Sequence, residues 1–255
     1  MAENNEASLI AAYHQAEDYF FTSISQATQH FKNYASAYLT GVEAGSLNLL
    51  IIKQPDGDIG TVLKDGVRFF EDAGLPFIVL LPEDAASKLA NQLNTEGLTA
   101  AYNTVAMQLS MKNFMLKNSH SDVFEIRCTN ECLSEWALPL ESAFESNPTL
   151  MMQYRLRHQA AIDYQKQFSH FSLYVKNHPV CSLTLSVNNG LARLDDIGTD
   201  IEFQGRGYAS ALIQHTLELV AASTVSHCFM DASSQGASLY RRTGFSTLFM
   251  GSHRI

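Results

Sequence analysis

Apolar positions along this chain change their period repeatedly, and each change marks an element. Over residues 8–31, Leu9, Ala12, Tyr13, Ala16, Tyr19 and Phe20 recur at helical spacing, which predicts a long helix. Residues 47–53 form a short apolar run suited to a buried strand. A turn follows at Gln54-Pro55-Asp56-Gly57-Asp58, where Pro55 presets φ and Gly57 accepts a positive one. The pattern then predicts a helix over 59–73 capped by Gly74, a strand over 77–81, and a helix over 82–96 stopped by Gly97. Residues 98–111 alternate as a half-buried strand does, and the polar stretch 111–122 reads as a linker. It divides a first domain (1–115) from a second (120–255).

The second half predicts a strand over 123–129, a helix over 130–144, and another from Asn147-Pro148 to about 161. Two strand-like runs, 170–175 and 180–186, flank a turn, and after Asn188-Asn189-Gly190 residues 191–197 make the third strand of a meander. A glycine loop, a helix with Ala209, Leu212, Ile213, Leu217 and Val220 on one side, a strand over 226–231, a helix over 233–243 and a strand over 245–252 complete the order. The class is α/β, a mixed sheet with helices on its faces. Helix, glycine, apolar residue and strand recur in that order at Gly74, Gly97 and Gly244. The echo is either ordinary use of glycine at such corners or the trace of a duplication whose first copy lost its loop.

That loop carries the chemistry. A strand feeding a helix through Gly205 and Gly207 leaves backbone N–H groups unpaired and pointing one way, a nest for a phosphate. The Gly-Lys-Ser/Thr ending of a nucleotide-triphosphate loop is absent. A dinucleotide loop would need a third glycine where Ser210 stands, and more sheet than the chain after Gly207 supplies.

Gln204-x-x-Gly207-x-Ala209, followed downstream by Leu239-Tyr240-x-x-x-Gly244-Phe245, resembles the GCN5-related N-acetyltransferases (GNAT) over about residues 122–255. More faintly, the whole chain resembles a tandem arrangement with an incomplete N-terminal copy. The resemblance implies the GNAT fold and acetyl-CoA as cosubstrate, with no metal. It implies that the backbone of Ile197, Gly198 and Thr199 meets the pantetheine arm, and that Gln204, Gly205, Arg206, Gly207, Tyr208 and Ala209 cradle the pyrophosphate, with Ser210 at the helix start. It also implies a cofactor contact at Ser233, where many members have Asn, and Tyr240 as the acid that protonates the leaving thiolate. An amine acceptor with a pKa near ~10 must lose a proton before attack. Asp195, Asp196, Glu202 or a water is the candidate base; on a regular strand Asp195 and Asp196 would face opposite sides.

Composition narrows the partners. A formal net charge of -9 argues against a general nucleic-acid binder, although Lys112, Lys117, Arg155, Arg157, Arg241 and Arg242 are locally concentrated. Arg155, Arg157 and His158 read as a solvated helix face. No secretory signal or membrane-length apolar run is present, and Cys128, Cys132, Cys181 and Cys228 form no disulfide framework, which predicts a cytoplasmic protein. Neither the cysteines nor the nine histidines show metal-ligand spacing. The expected activity is transfer of acetyl from acetyl-CoA to an amine on a small molecule, peptide or protein. A CoA-binding sensor or scaffold without transfer activity is the alternative, and nothing in the sequence encodes the oligomeric state.

Overall fold

The computed structural model describes residues 2–55, 58–115 and 124–255, with side chains from residue 6. Asp56 and Gly57 of the first turn, and residues 116–122 of the expected linker with Lys117, lie outside the described residues. The first half supplies α1 (Ala2–Ile24), β1 (Ala27–Phe31), β2 (Ala35–Leu39), β3 (Asn48–Ile52), α2 (Ile59–Glu71), β4 (Ile78–Pro82), α3 (Glu83–Lys88), α4 (Ala90–Thr95) and β5 (Ala100–Ser110). The second supplies β6 (Glu125–Cys128), α5 (Leu133–Ala143), α6 (Pro148–Asp163), β7 (Phe168–Val175), β8 (His178–Asn188) and β9 (Leu191–Thr199). It continues with α7 (Tyr208–Ala221), β10 (His227–Ser233), α8 (Ala237–Arg242) and β11 (Ser246–Arg254).

Three boundaries differ from the sequence reading. Helix α1 stops at Ile24, and residues 27–31 turn back as β1 against β2, pairing Ala27 with Leu39 and Phe31 with Ala35. Both strands are rich in Ala, Ser, Thr and Gln, which blunts the apolar signal of a hairpin. The helix expected over 82–96 is interrupted at Leu89 (φ −97°, ψ 9°). In the stretch expected to be helical from 233, strand β10 runs to Ser233 and α8 begins only at Ala237.

Among the described residues 11 strands pair in one sheet, ordered β1-β2-β3-β4-β11-β5-β10-β9-β8-β7-β6. The order reveals an internal pseudo-twofold. The run α1-β1-β2-β3-α2-β4-α3/α4-β5 is repeated as α6-β7-β8-β9-α7-β10-α8-β11. Pairing senses repeat too: β1/β2 and β7/β8 are antiparallel, β2/β3 and β8/β9 antiparallel, β3/β4 and β9/β10 parallel. Gly97 before β5 and Gly244 before β11 occupy matching corners, so the sequence echo between these two is the trace of duplication. Among the described residues the first copy has no counterparts of β6 and α5. The last strands are exchanged: β11 lies between β4 and β5, and β5 between β11 and β10.

A buried cluster at the seam ties α1 to the second half. Arg193 is 1% exposed and is the last β9 residue paired with β10, opposite Phe229. Its Nε donates to both carboxylate oxygens of Asp195 (3.0 and 3.1 Å), and its Nη2 donates to Asp231 on β10. The Tyr13 hydroxyl of α1 reaches the same Asp231 at 2.8 Å and Glu17 at 3.1 Å. One guanidinium thus holds two carboxylates together where β9 and β10 part. Removing it would leave buried carboxylates unpaired, so Arg193→Ala is expected to destabilise the fold by about 3–5 kcal/mol. Urea unfolding followed by circular dichroism checks this; a shift below about 1 kcal/mol would show the cluster to be structurally neutral. Among the described residues no helix is long and apolar enough to cross a membrane.

Candidate active site

Beyond Arg193, β9 runs on through residues 194–199 with no β10 partner, while β10 diverges to pair with β5 alone. An unpaired parallel edge presents backbone donors and acceptors to whatever enters the gap. Ile197, Gly198 and Thr199 lie on this edge. The Thr199 carbonyl receives the Gln204 side-chain amide at 3.1 Å. In the first half β3 ends at Ile52, one residue past its last pairing with β4 at Ile51, and no such edge forms.

At the far end of the gap stands the helix start. Gly205 and Gly207 take φ of +74° and +84°, and the space where a Cβ would sit is open at both. Gly207 caps α7 without a side-chain hydrogen bond, and the first turn carries no acidic residue. Among the described residues the N–H groups of residues 205–210 have no acceptor, so donors and helix dipole point outward together. Arg206 rests its guanidinium on the Glu202 carbonyl at 3.0 Å and over the Phe203 ring at 5.2 Å. The matching helix of the first half is stoppered by its own anion. Asp58 accepts from Thr61 N at 3.3 Å and Thr61 Oγ1 at 2.8 Å, and these bonds hold its carboxyl below the usual range. A phosphate would find that cradle filled with like charge.

Strand β9 contains a bulge that sequence reasoning missed. Register shifts between Ser182/Gly198 and Thr184/Asp195, and Asp196 adopts φ +54°. Asp195 and Asp196 therefore do not alternate as expected; both lie on the face covered by α1 and α6. Asp195 is taken by Arg193, whereas Asp196 Oδ1 accepts the Tyr154 hydroxyl of α6 at 2.8 Å. Glu202, the third candidate base, is exposed in the short 3-10 turn before the loop.

Asp196 also ends a buried polar chain. Asn130 Oδ1 receives the backbone N–H of His170 at 2.7 Å, and Asn130 Nδ2 donates to the Phe168 carbonyl at 2.9 Å, which fixes the amide orientation. His170 Nδ1, 2.9 Å from that oxygen, must then carry the proton, and His170 Nε2 accepts from His158 Nδ1 at 2.8 Å. His158 Nε2 is left bare, 3.7 Å from Asp196 Oδ2, and both atoms are buried without a hydrogen-bond partner among the described residues. Burial keeps both imidazoles neutral, holding His158 well below its usual pKa and His170 down to about 3. Burial likewise pushes the Asp196 carboxyl up to about 6, against the opposing hydrogen bond from Tyr154. His158 is thus a core residue rather than part of a solvated face. Arg157 is committed too, donating to the Ile24 and Ser25 carbonyls at the end of α1.

A cavity of about 510 Å³ adjoins this carboxylate, between the α5–α6 corner and the 3-10 turn at Gly45–Leu47 of the first half. On α8, Tyr240 packs beside Gly236, and burial pushes its phenol up to about 12, with the nearby Cys181 thiol adding to the rise. Cys181 lies on β8, 3.2 Å from the Thr199 hydroxyl, which places Tyr240 by the open edge. Ser233 uses its Oγ to accept the Gly236 N–H at 3.1 Å, closing the turn into α8. Among the described residues no group of three His, Cys, Asp or Glu side chains is placed to hold a metal ion.

Known proteins with a similar arrangement include several acetyltransferases. Residues 133–245 match the family model described as Acetyltransferase (GNAT) family. No curated protein matches the chain. Among solved structures, a GCN5-related N-acetyltransferase from Kribbella flavida superposes with a TM-score of 0.65 at 13% identity, covering 97% of this chain and 94% of that one. A GCN5-related N-acetyltransferase from Sphaerobacter thermophilus gives 0.62 at 16% identity, covering 87% and 76%. A tandem GNAT protein from the clavulanic acid biosynthesis pathway gives 0.60 at 11% identity, covering 90% and 83%. Residues 133–245 therefore match the GNAT acetyltransferase family model, and the chain carries the GNAT fold in tandem.

Proposed function

We propose that the second half transfers an acetyl group from acetyl-CoA to an amine by direct transfer, and that the first half has no cofactor site of its own. One observation carries this reading: an open N–H cradle and an unpaired strand edge lead to a buried carboxylate of raised pKa. The donor set suits coenzyme A, whose pyrophosphate would lie on residues 204–210 and whose pantetheine arm would lie along residues 197–199. The description of the clavulanic-acid-pathway protein refers to AcCoA, which supports that choice of donor. When bound, the cosubstrate supplies an acyl carbon activated as a thioester.

The chain's own groups handle the protons. Asp196 takes the proton that the acceptor ammonium loses before its nitrogen attacks, and the protonated carboxyl can donate a hydrogen bond to the bare His158 Nε2. The second N–H proton, acidified once the N–C bond has formed, leaves to solvent. Tyr240 donates its hydroxyl proton to the sulfur as the C–S bond breaks, and solvent restores it. Unpaired N–H groups of β9 meet the negative charge developing on the carbonyl oxygen. The sensor reading drew its force from the lack of a marked base, a role Asp196 fills.

Isothermal titration with acetyl-CoA, followed by thiol release across a panel of amines, tests the proposal. Binding in the micromolar range with turnover of at least one amine supports transfer; absence of binding overturns it. Tyr240→Phe is expected to lower kcat about 10–100-fold while leaving acetyl-CoA affinity within about twofold. Unchanged kcat would remove Tyr240 from the acid role.

A further inference from the structure

We infer that the acceptor is a primary amine on a compact apolar body, a single aromatic ring or branched alkyl group on a short arm, and that the first half forms one wall of its site. The inference rests on the transfer reading above and adds the chemical class of the substrate. The cavity beside Asp196 is walled by Leu140, Phe144, Leu150 and Met151 from the second half and by Ala44 and Leu47 from the first. Its ionisable carboxyl groups are Asp196, half-buried with its Oδ2 covered, and Glu145, exposed; among the described residues no Lys, Arg or His lines it.

Such a lining sets two filters. A protonated amine is drawn to the Asp196 carboxylate, and an anionic acceptor meets like charge with no cation in the lining to offset it. Apolar walls favour an uncharged body, since each buried CH₂ contributes about 0.8 kcal/mol, whereas the several hydroxyls of a sugar ring would find only Ser46, Ser146 and the Tyr154 hydroxyl already given to Asp196. The duplicated half thus retains a use at this site: its 3-10 turn closes the side of the cavity that faces away from α5 and α6.

Trp136, the single tryptophan, stands 6.0 Å from the Tyr154 ring and 4.6 Å from His158, so its emission reports cavity binding independently of turnover. Phenethylamine and isoamylamine are titrated against glucosamine, spermidine and glutamate on the full chain, by tryptophan emission and by thiol release with acetyl-CoA. The expected result is kcat/KM at least tenfold higher for the two apolar amines, with saturable emission changes for them alone. Leu47→Lys and Ala44→Phe, which add charge or bulk from the first half, are each expected to raise KM for phenethylamine at least tenfold with acetyl-CoA affinity unchanged. Preference for glucosamine or spermidine, with turnover intact, overturns the acceptor class and leaves transfer standing. Unchanged KM in both variants overturns the role of the first half. No emission change with any apolar amine overturns the class whether or not transfer occurs.

Discussion

Replacing Asp196 with asparagine is expected to lower kcat/KM by about 10²–10³-fold while acetyl-CoA affinity stays within about twofold. The amide cannot accept the amine proton. In the parent protein the rate should fall about tenfold per pH unit below about 6, because the Asp196 carboxyl, raised to about 6 by burial, is then protonated. In the variant that limb disappears. The same substitution is expected to stabilise the fold above that pH. A carboxyl whose folded pKa is raised from 3.8 to about 6 contributes stability that is fully present below 3.8 and lost as pH rises through about 6. At pH 8 the parent therefore carries a penalty on the order of 2–3 kcal/mol. Asparagine carries no charge to bury. Its Oδ1 keeps the Tyr154 bond, and its Nδ2 donates to the bare Nε2 of His158. Urea midpoints at pH 4 and pH 8 test this: near equality at the first and a more stable variant at the second are expected. A variant less stable at pH 8, or as active as the parent, would remove Asp196 from the role of base.

Gly207→Glu carries the second large effect, loss of at least 100-fold in acetyl-CoA affinity by titration calorimetry. No atom lies within 4 Å of the position a Cβ would take, so the side chain enters open space and the fold survives. The left-handed φ of +84° costs about 1–2 kcal/mol for a residue with a Cβ. A carboxylate at a helix start partly offsets that. The new charge stands where the pyrophosphate would lie and takes up the helix-end donors. Gly207→Ala separates the causes: it shares the strain without the charge and should lose less than about tenfold. Equal losses in the two variants would mean that backbone strain alone governs binding. Full binding by the Glu variant would place the cofactor elsewhere. Asp58 stands comparably in the first half, where its carboxylate accepts the Thr61 N–H at the start of α2.

The chain announces its glycine loop more openly than the carboxylate proposed as base. Gly205 and Gly207 are legible because positive φ and close approach both select glycine, and the following apolar period marks a helix. Asp196 reaches the same conformational region with neither glycine nor asparagine, held there by the Tyr154 bond and the packing of α6, so the bulge leaves no local trace in the sequence. His158 and His170 lie on different elements and meet only when α6 covers β7. Their spacing resembles no ligand motif, and as neutral, buried groups they are core histidines in composition and a proton chain in geometry. Strands β1 and β2 escaped for a simpler reason: short runs of Ala, Ser and Thr give little contrast between the faces of a strand. The strand exchange was out of reach because β5 and β11 would alternate in the same way beside either neighbour.

That exchange bears on how the protein is made. Of the eleven strands, β11 is the last synthesised, yet its place is between β4 and β5, both finished well over a hundred residues earlier. Until it arrives, β4 and β5 present open edges that could pair with another chain. The first half must wait on the ribosome with a slot in its sheet, and that slot is filled only after the glycine loop at residues 204–210 has been translated. A nascent chain stalled before residue 246 would therefore expose the first half to aggregation, even though the missing strand belongs to the second.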